Sequence, residues 1–198
     1  MADKLKIGVL ALQGDFEAHE KALARAGAQP IEVRTKEQLA EADGLVIPGG
    51  ESTTMLKLLR EEQLFDAVRE FGGRRPIFGT CAGAILLARR VTNPVQESLG
   101  VMDIDVERNA YGRQLDSRIV RIAGEDGSPL PAEGLEAVFI RAPIIRRVGG
   151  GARVLARYNG DPVLVEQGRH LVATFHPELS ENAPIHSFFL EKVRKERL

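Results

Sequence analysis

The chain has 198 residues, of which 43% are hydrophobic and 28% charged, with a formal net charge of -1. That composition suits one domain (residues 1–198) with a sizeable core and offers no general attraction to nucleic acid or an anionic membrane. A single cysteine excludes an intramolecular disulfide, cysteine-cluster zinc sites and iron–sulfur ligation by this chain alone.

No apolar run approaches the ~20 residues of a transmembrane helix. The first residues lack a signal peptide's apolar region and cleavage site, so a cytoplasmic location is expected. The arginine pairs at 74–75, 89–90 and 146–147 are scattered and read as solvated surface charge.

Ile7 to Leu12 is a compact apolar run ending in Gln13-Gly14, the pattern of a buried parallel strand. From Asp15, apolar positions at Phe16, Ala22, Leu23 and Ala26, with His19 among them, predict a helix closed by Gly27. Ile31–Val33 predicts a second strand, Lys36 to Ala42 a short helix, and Leu45–Ile47 a third strand stopped by Pro48-Gly49-Gly50. Helical structure is expected from Ser52 to Phe71, with a break near Glu62-Gln63. Ile77-Phe78 predicts the next strand, and Ala84 to Arg90 a helical run. Strands and helices alternating over such lengths predict an α/β fold, an open and mostly parallel sheet with helices on its faces.

The second half changes character. Val101–Val106, Arg118–Ile122, Ala137–Ile140, Val154–Ala156, Val163–Glu166 and Leu171–Phe175 are short strand candidates, several expected to pair antiparallel. They form an antiparallel extension to the same domain. A final helix is expected from about Ala183, with Ile185, Phe188, Phe189 and Val193 on its apolar side.

Two features carry chemistry. Gly79-Thr80-Cys81-Ala82-Gly83, between a strand and a helix, is the thiol counterpart of the nucleophile elbow. Such a turn strains the central residue, needs small neighbours, and presents the sulfur at the sheet's C-terminal edge beside a helix N-terminus that favours thiolate. A small buried cysteine on an ordinary connection has the same sequence form. The second feature is His176-Pro177-Glu178, just past a strand candidate. Thiol catalysis needs an imidazole to move the proton and a carboxylate to fix its tautomer. A surface turn also satisfies that tripeptide alone. His19, His170 and His186 have no such arrangement and read as structural or solvated.

Together these residues resemble the class I (triad) glutamine amidotransferases. Leu12-Gln13-Gly14, Pro48 to Thr54, Phe78 to Gly83, Val106 to Asn109, Phe139 to Pro143 and Phe175 to Leu179 are similar to the glutaminase subunits of pyridoxal 5′-phosphate synthases. The resemblance implies a three-layer fold in which Cys81 is nucleophile, His176 acid and base, and Glu178 its orienting partner. It implies an oxyanion hole from the N–H groups of Gly50 and Ala82, and glutamine binding by Gly49, Gly50, Glu51, Arg108, Ile140 and Arg141. It further implies L-glutamine as substrate, no cofactor or metal in this chain, and a (β/α)8-barrel synthase partner contacted through Gln13. Two alternatives stand beside it: a glutaminase serving another synthase, such as one that forms an imidazole ring, and a cysteine hydrolase of the same architecture.

Overall fold

The computed structural model describes residues 4–110, 117–181 and 183–197. Its centre is a seven-stranded sheet. Strand β1 (Lys6–Leu10) pairs in parallel with β2 (Gln29–Val33) on one side and β3 (Gly44–Ile47) on the other. Next come β4 (Ile77–Thr80) and β12 (His170–Ala173), also parallel. The antiparallel strands β11 (Asp161–Gln167) and β10 (Arg153–Tyr158) complete the order β10-β11-β12-β4-β3-β1-β2. The central strands β3, β4 and β12 are buried at every position, as unbroken apolar runs between two helical layers should be.

Local chemistry sets the helix ends. Helix α1 (Phe16–Arg25) starts where the Asp15 carboxylate accepts the Ala18 N–H at 3.3 Å. Helix α2 (Lys36–Ala40) carries a reciprocal capping box between Thr35 and Gln38. The Glu51 carboxylate accepts the N–H groups of Thr53 and Thr54 at the head of α3 (Ser52–Glu61). The break expected near Glu62-Gln63 is present: Gln63 has φ 57°, and α4 (Phe65–Arg74) begins after it.

One face of the sheet is covered by α2, α3, α4 and α5 (Ala82–Leu87), through Leu39, Met55, Leu59, Phe65, Val68 and Leu86. The other face is covered by α1 and α6 (Pro184–Glu196), through Leu23, Ile185, Phe189, Leu190 and Val193. These are the three layers expected. Phe188, assigned to the apolar side of α6, is only half-buried.

Two small sheets form the extension. One orders β5 (Ala88–Thr92), β6 (Met102–Glu107) and β9 (Ile144–Val148); the other pairs β7 (Arg118–Ile122) with β8 (Leu135–Phe139). The helical run predicted to Arg90 ends at Leu87. Ala88 turns extended (ψ 149°), and the chain leaves as β5, paired in parallel with β6. Strand β9 was not predicted. Its register against β6 shifts between Asp105 and Val106, so Ile144-Ile145 and Arg146-Arg147 lie in buried and exposed doublets rather than alternating.

Candidate active site

Four chain segments leave the C-terminal ends of β1, β3, β4 and β12 and meet at one edge of the sheet. That edge is where open α/β folds place their ligands.

From β4 the chain turns at Cys81, which has φ 49° and ψ -104°, a conformation an L-residue holds only under constraint. The constraint is visible. The Cys81 N–H donates to Ala173 O at 2.9 Å, tying the turn to β12. A Cβ on Gly83 would lie 2.1 Å from Ile47 O, and one on Gly79 would lie 2.6 Å from the backbone of Gly83. Only glycine lets α5 start this close to β3 and β4. The elbow expected from sequence is therefore formed, with the Cys81 side chain largely buried.

His176 follows β12 and leads into a 3-10 turn at Pro177–Leu179. Its Nδ1 is 2.7 Å from Glu178 Oε1, and Pro177 at the start of the turn fixes the spacing. Glu178 is fully buried at its side chain and His176 is 11% exposed. Burial disfavours the imidazolium, but hydrogen bonds and charge pairing with Cys81 and Glu178 outweigh it and raise the His176 pKa to about 10. His176 is therefore protonated at neutral pH, beside the Cys81 sulfur.

Gly49 and Gly50 run past this pair. A Cβ on Gly49 would lie 2.6 Å from His176 Cε1 and 3.3 Å from Cys81 Cβ, so the strand and the pair are in direct contact. The Gln13 side chain holds the next peptide, its Oε1 accepting the Glu51 N–H at 2.9 Å. Across the opening, the Ile140 carbonyl stands 3.9 Å from Cys81 Sγ, and Arg141 adopts φ 46°.

A cleft of about 310 Å³ opens here, lined by Gln13, Gly50, Glu51, Ser52, Cys81, Ile85, Arg108, Asn109, Ile140, Arg141 and His176. Arg108 reaches it from the end of β6 and lies 2.9 Å from Thr53 Oγ1 and 3.4 Å from Glu51 Oε1. The Glu51 carboxylate is held below its ordinary pKa: burial works the other way, but hydrogen bonds from Thr54 and Thr53 prevail. A charged arginine and a charged carboxylate thus stand side by side at the mouth. The residues singled out from sequence converge on this cleft or, for Gly49, Ala82 and Glu178, on its walls. Sequence reasoning passed over Thr53 and Asn109, although both sit inside segments that carried the resemblance.

Comparison with known proteins gives the family. The SNO glutamine amidotransferase family model matches residues 9–195. A pyridoxal 5′-phosphate synthase subunit PdxT of Solibacter usitatus is 65% identical, covering 95% of this chain and 99% of its own. The protein of the same name from Koribacter versatilis is 54% identical, covering 96% of each chain. A crystal structure of a glutamine amidotransferase superposes with TM-score 0.86 at 48% identity, covering 95% of this chain and 98% of the other. A putative GMP synthase subunit from Thermoplasma acidophilum, at 17% identity and TM-score 0.69, shares the fold. The chain belongs to the SNO glutamine amidotransferase family.

Proposed function

We propose that this single domain hydrolyses L-glutamine through a Cys81 thioester. The observation that carries the reading is the Cys81–His176–Glu178 array, in which a strained elbow sulfur faces an imidazole anchored 2.7 Å from a buried carboxylate. The Cys81 sulfur attacks the carboxamide carbon. His176 returns its proton to the departing nitrogen, and ammonia leaves. A water then attacks the thioester with His176 as base, releasing glutamate and restoring the thiol. Glu178 holds the imidazole in one tautomer and balances its charge. The N–H groups of Gly50 and Ala82 receive the negative oxygen, a role often worth about 2.7–4 kcal/mol per donor. Glu51 takes the α-ammonium and Arg108 the α-carboxylate of the substrate, with Gly49, Ile140 and Arg141 closing the site.

The protein is the glutaminase subunit of pyridoxal 5′-phosphate synthase, supplying ammonia for vitamin B6 synthesis, in keeping with relatives at 46–65% identity over nearly their whole length. Its partner on this reading is a cytoplasmic (β/α)8-barrel subunit that uses the ammonia. Among the described residues, no helix is long and apolar enough to cross a membrane. Gln13, bonded to the Glu51 N–H, would carry partner docking to the Gly49-Gly50 strand and switch on hydrolysis.

The test is ammonia release from L-glutamine by the chain alone and with the synthase subunit, with Cys81→Ala as control. Cysteine-dependent release that rises with the partner is expected. Full activity without a partner would remove the switching role, and release indifferent to Cys81 would overturn the mechanism.

A further inference from the structure

Two histidines that the triad does not use form a chain that ends at the second oxygen of Glu178. His19, on the inner face of α1, and His186, in the first turn of α6, are both fully buried. His19 Nδ1 is 2.9 Å from His186 Nε2. His19 Nε2 is 3.0 Å from the hydroxyl of Thr80, the residue before Cys81, and 3.4 Å from Glu178 Oε2. Glu178 Oε1 is bonded to His176, whereas Oε2 is sealed from solvent with no closer hydrogen-bond partner among the described residues. Phe78 stands edge-on to both rings, with centroids 6.3 and 5.7 Å away, which restricts their rotation.

The protons can be assigned. Burial, then the neighbouring His186 and His176, holds the His19 pKa well below its ordinary value, and burial lowers that of His186 to about 3. Both rings are neutral, so one donates and the other accepts along the 2.9 Å contact. If His19 donated through Nδ1, its bare Nε2 lone pair would face a carboxylate oxygen, and His186 would bury an Nδ1–H. His186 Nδ1 has no partner among the described residues. An empty buried acceptor is tolerated better than an orphaned donor, and lone pair against carboxylate is repulsive. The favoured arrangement is therefore His186 Nε2–H to His19 Nδ1, with the His19 proton on Nε2 and directed at Thr80 Oγ1 and Glu178 Oε2.

We propose that His19, itself held by His186, is a positioning residue for glutamine hydrolysis: its Nε2–H fixes the second oxygen of Glu178 and through it the imidazole of His176. This rests on the glutaminase reading above. A carboxylate tied by one oxygen can still rotate about its terminal bond; a second contact fixes its plane. At 3.4 Å the contact is longer than a good hydrogen bond, as contacts in a resting site often are before substrate tightens them. Neutrality matters as well. A cationic His19 would compete with His176 for the charge of Glu178, whereas a neutral donor orients the carboxylate and leaves that charge available.

The test uses the chain in complex with the synthase subunit. His19→Leu removes the donor, while His19→Gln offers an amide N–H where Nε2 stood. The leucine variant is expected to lose about 10- to 100-fold in kcat, with KM for glutamine within about 2-fold, and the glutamine variant to recover most of the loss. Nitrogen-15 spectra of the histidine rings in the unaltered complex should show His19 and His186 neutral and protonated on Nε2. A His19 proton on Nδ1, wild-type turnover in His19→Leu, or equal losses in both variants would overturn the proposal. Should His19→Leu fail to fold, the tautomer spectrum decides. A wild-type complex without Cys81-dependent hydrolysis would instead sink the glutaminase reading itself.

Discussion

Acidification from pH 8 to pH 5 should cost this fold about 4 kcal/mol through two buried histidines outside the triad, with about half of it offset by His176. Burial is the main cause that pushes the pKa of His170 down to about 4 and that of His186 to about 3. Unfolding returns both to about 6.5. Below that value the unfolded chain binds protons that the folded chain refuses. The contribution of these two rings is therefore complete above about pH 6.5 and falls as the pH drops towards the folded values. Integrating the linkage relation over this interval gives about 2 kcal/mol for each ring. His19, displaced in the same direction, adds to the loss. His176, its folded pKa raised to about 10, acts the other way: from pH 8 down to about 6.5 the folded chain holds a proton that the unfolded chain lacks, which adds about 2 kcal/mol on acidification. For a chain of this size, the net loss of about 2 kcal/mol corresponds to a fall in Tm of about 4–8 °C. The assay is urea unfolding followed by circular dichroism at each pH. His170 Nδ1 accepts the Ile77 N–H at 3.2 Å, an acceptor role that an asparagine oxygen can take over. His170→Asn should therefore remove about 2 kcal/mol of the pH-dependent loss, whatever it does to stability at pH 8. A wild-type stability that changes by less than about 1 kcal/mol, or an unchanged slope in His170→Asn, would refute the assignment.

Other expectations concern the site itself. Glu178→Gln should lower kcat by about 10²- to 10⁴-fold and lower Tm as well, since the imidazole loses its buried charge partner and preferred tautomer; activity within a few-fold of wild type would point to a hydrolase that needs no triad carboxylate. Gly83→Ala would drive a methyl group to 2.1 Å from Ile47 O, and should cost about 1–3 kcal/mol in chemical unfolding together with most of the activity. Arg108→Met should raise KM for glutamine far more than it lowers kcat, because the arginine binds a group that does not react; equal KM values in steady-state assays would remove Arg108 from the substrate site.

The sequence disclosed the parts of this molecule whose chemistry is local. Gly79 to Gly83 and His176 to Glu178 are short segments whose residue types point to a local geometry, and the turn at Cys81 and the 2.7 Å His176–Glu178 contact have that geometry. The parallel strands were legible because burial on two faces writes an unbroken apolar run. Strand β9 was hidden for the opposite reason: a register shift against β6 replaces alternation with doublets. The end of α5 was missed because Ala88, Arg89 and Arg90 are good helix formers in isolation, and only pairing with β6 draws them into extended backbone. His19 was half legible. Its place among Phe16, Ala22 and Leu23 put it on the buried face of α1, but no local signal joins it to Glu178, 159 positions later by their numbers, or to His186.

The same contacts that complete the fold also hold the site under constraint. A left-handed cysteine costs about 1–3 kcal/mol, and it survives only where its surroundings allow no alternative. Here the surroundings are the C-terminal ends of three adjacent strands. Ala173 O in β12 receives the Cys81 N–H, Ile47 O in β3 leaves room for no side chain at position 83, and Gly49 lies against the His176 ring. A slip of β3 or β12 relative to β4 would relax the elbow and separate sulfur from imidazole in one movement. Sheet register is thus the quantity that sets nucleophile geometry, and α5 could not begin at Ala82 without it. Glu178 is held differently, by a turn on one side and by helices α1 and α6 on the other. Substitutions in the strand ends should therefore lose stability and activity together, whereas substitutions among the histidines behind Glu178 should separate the two.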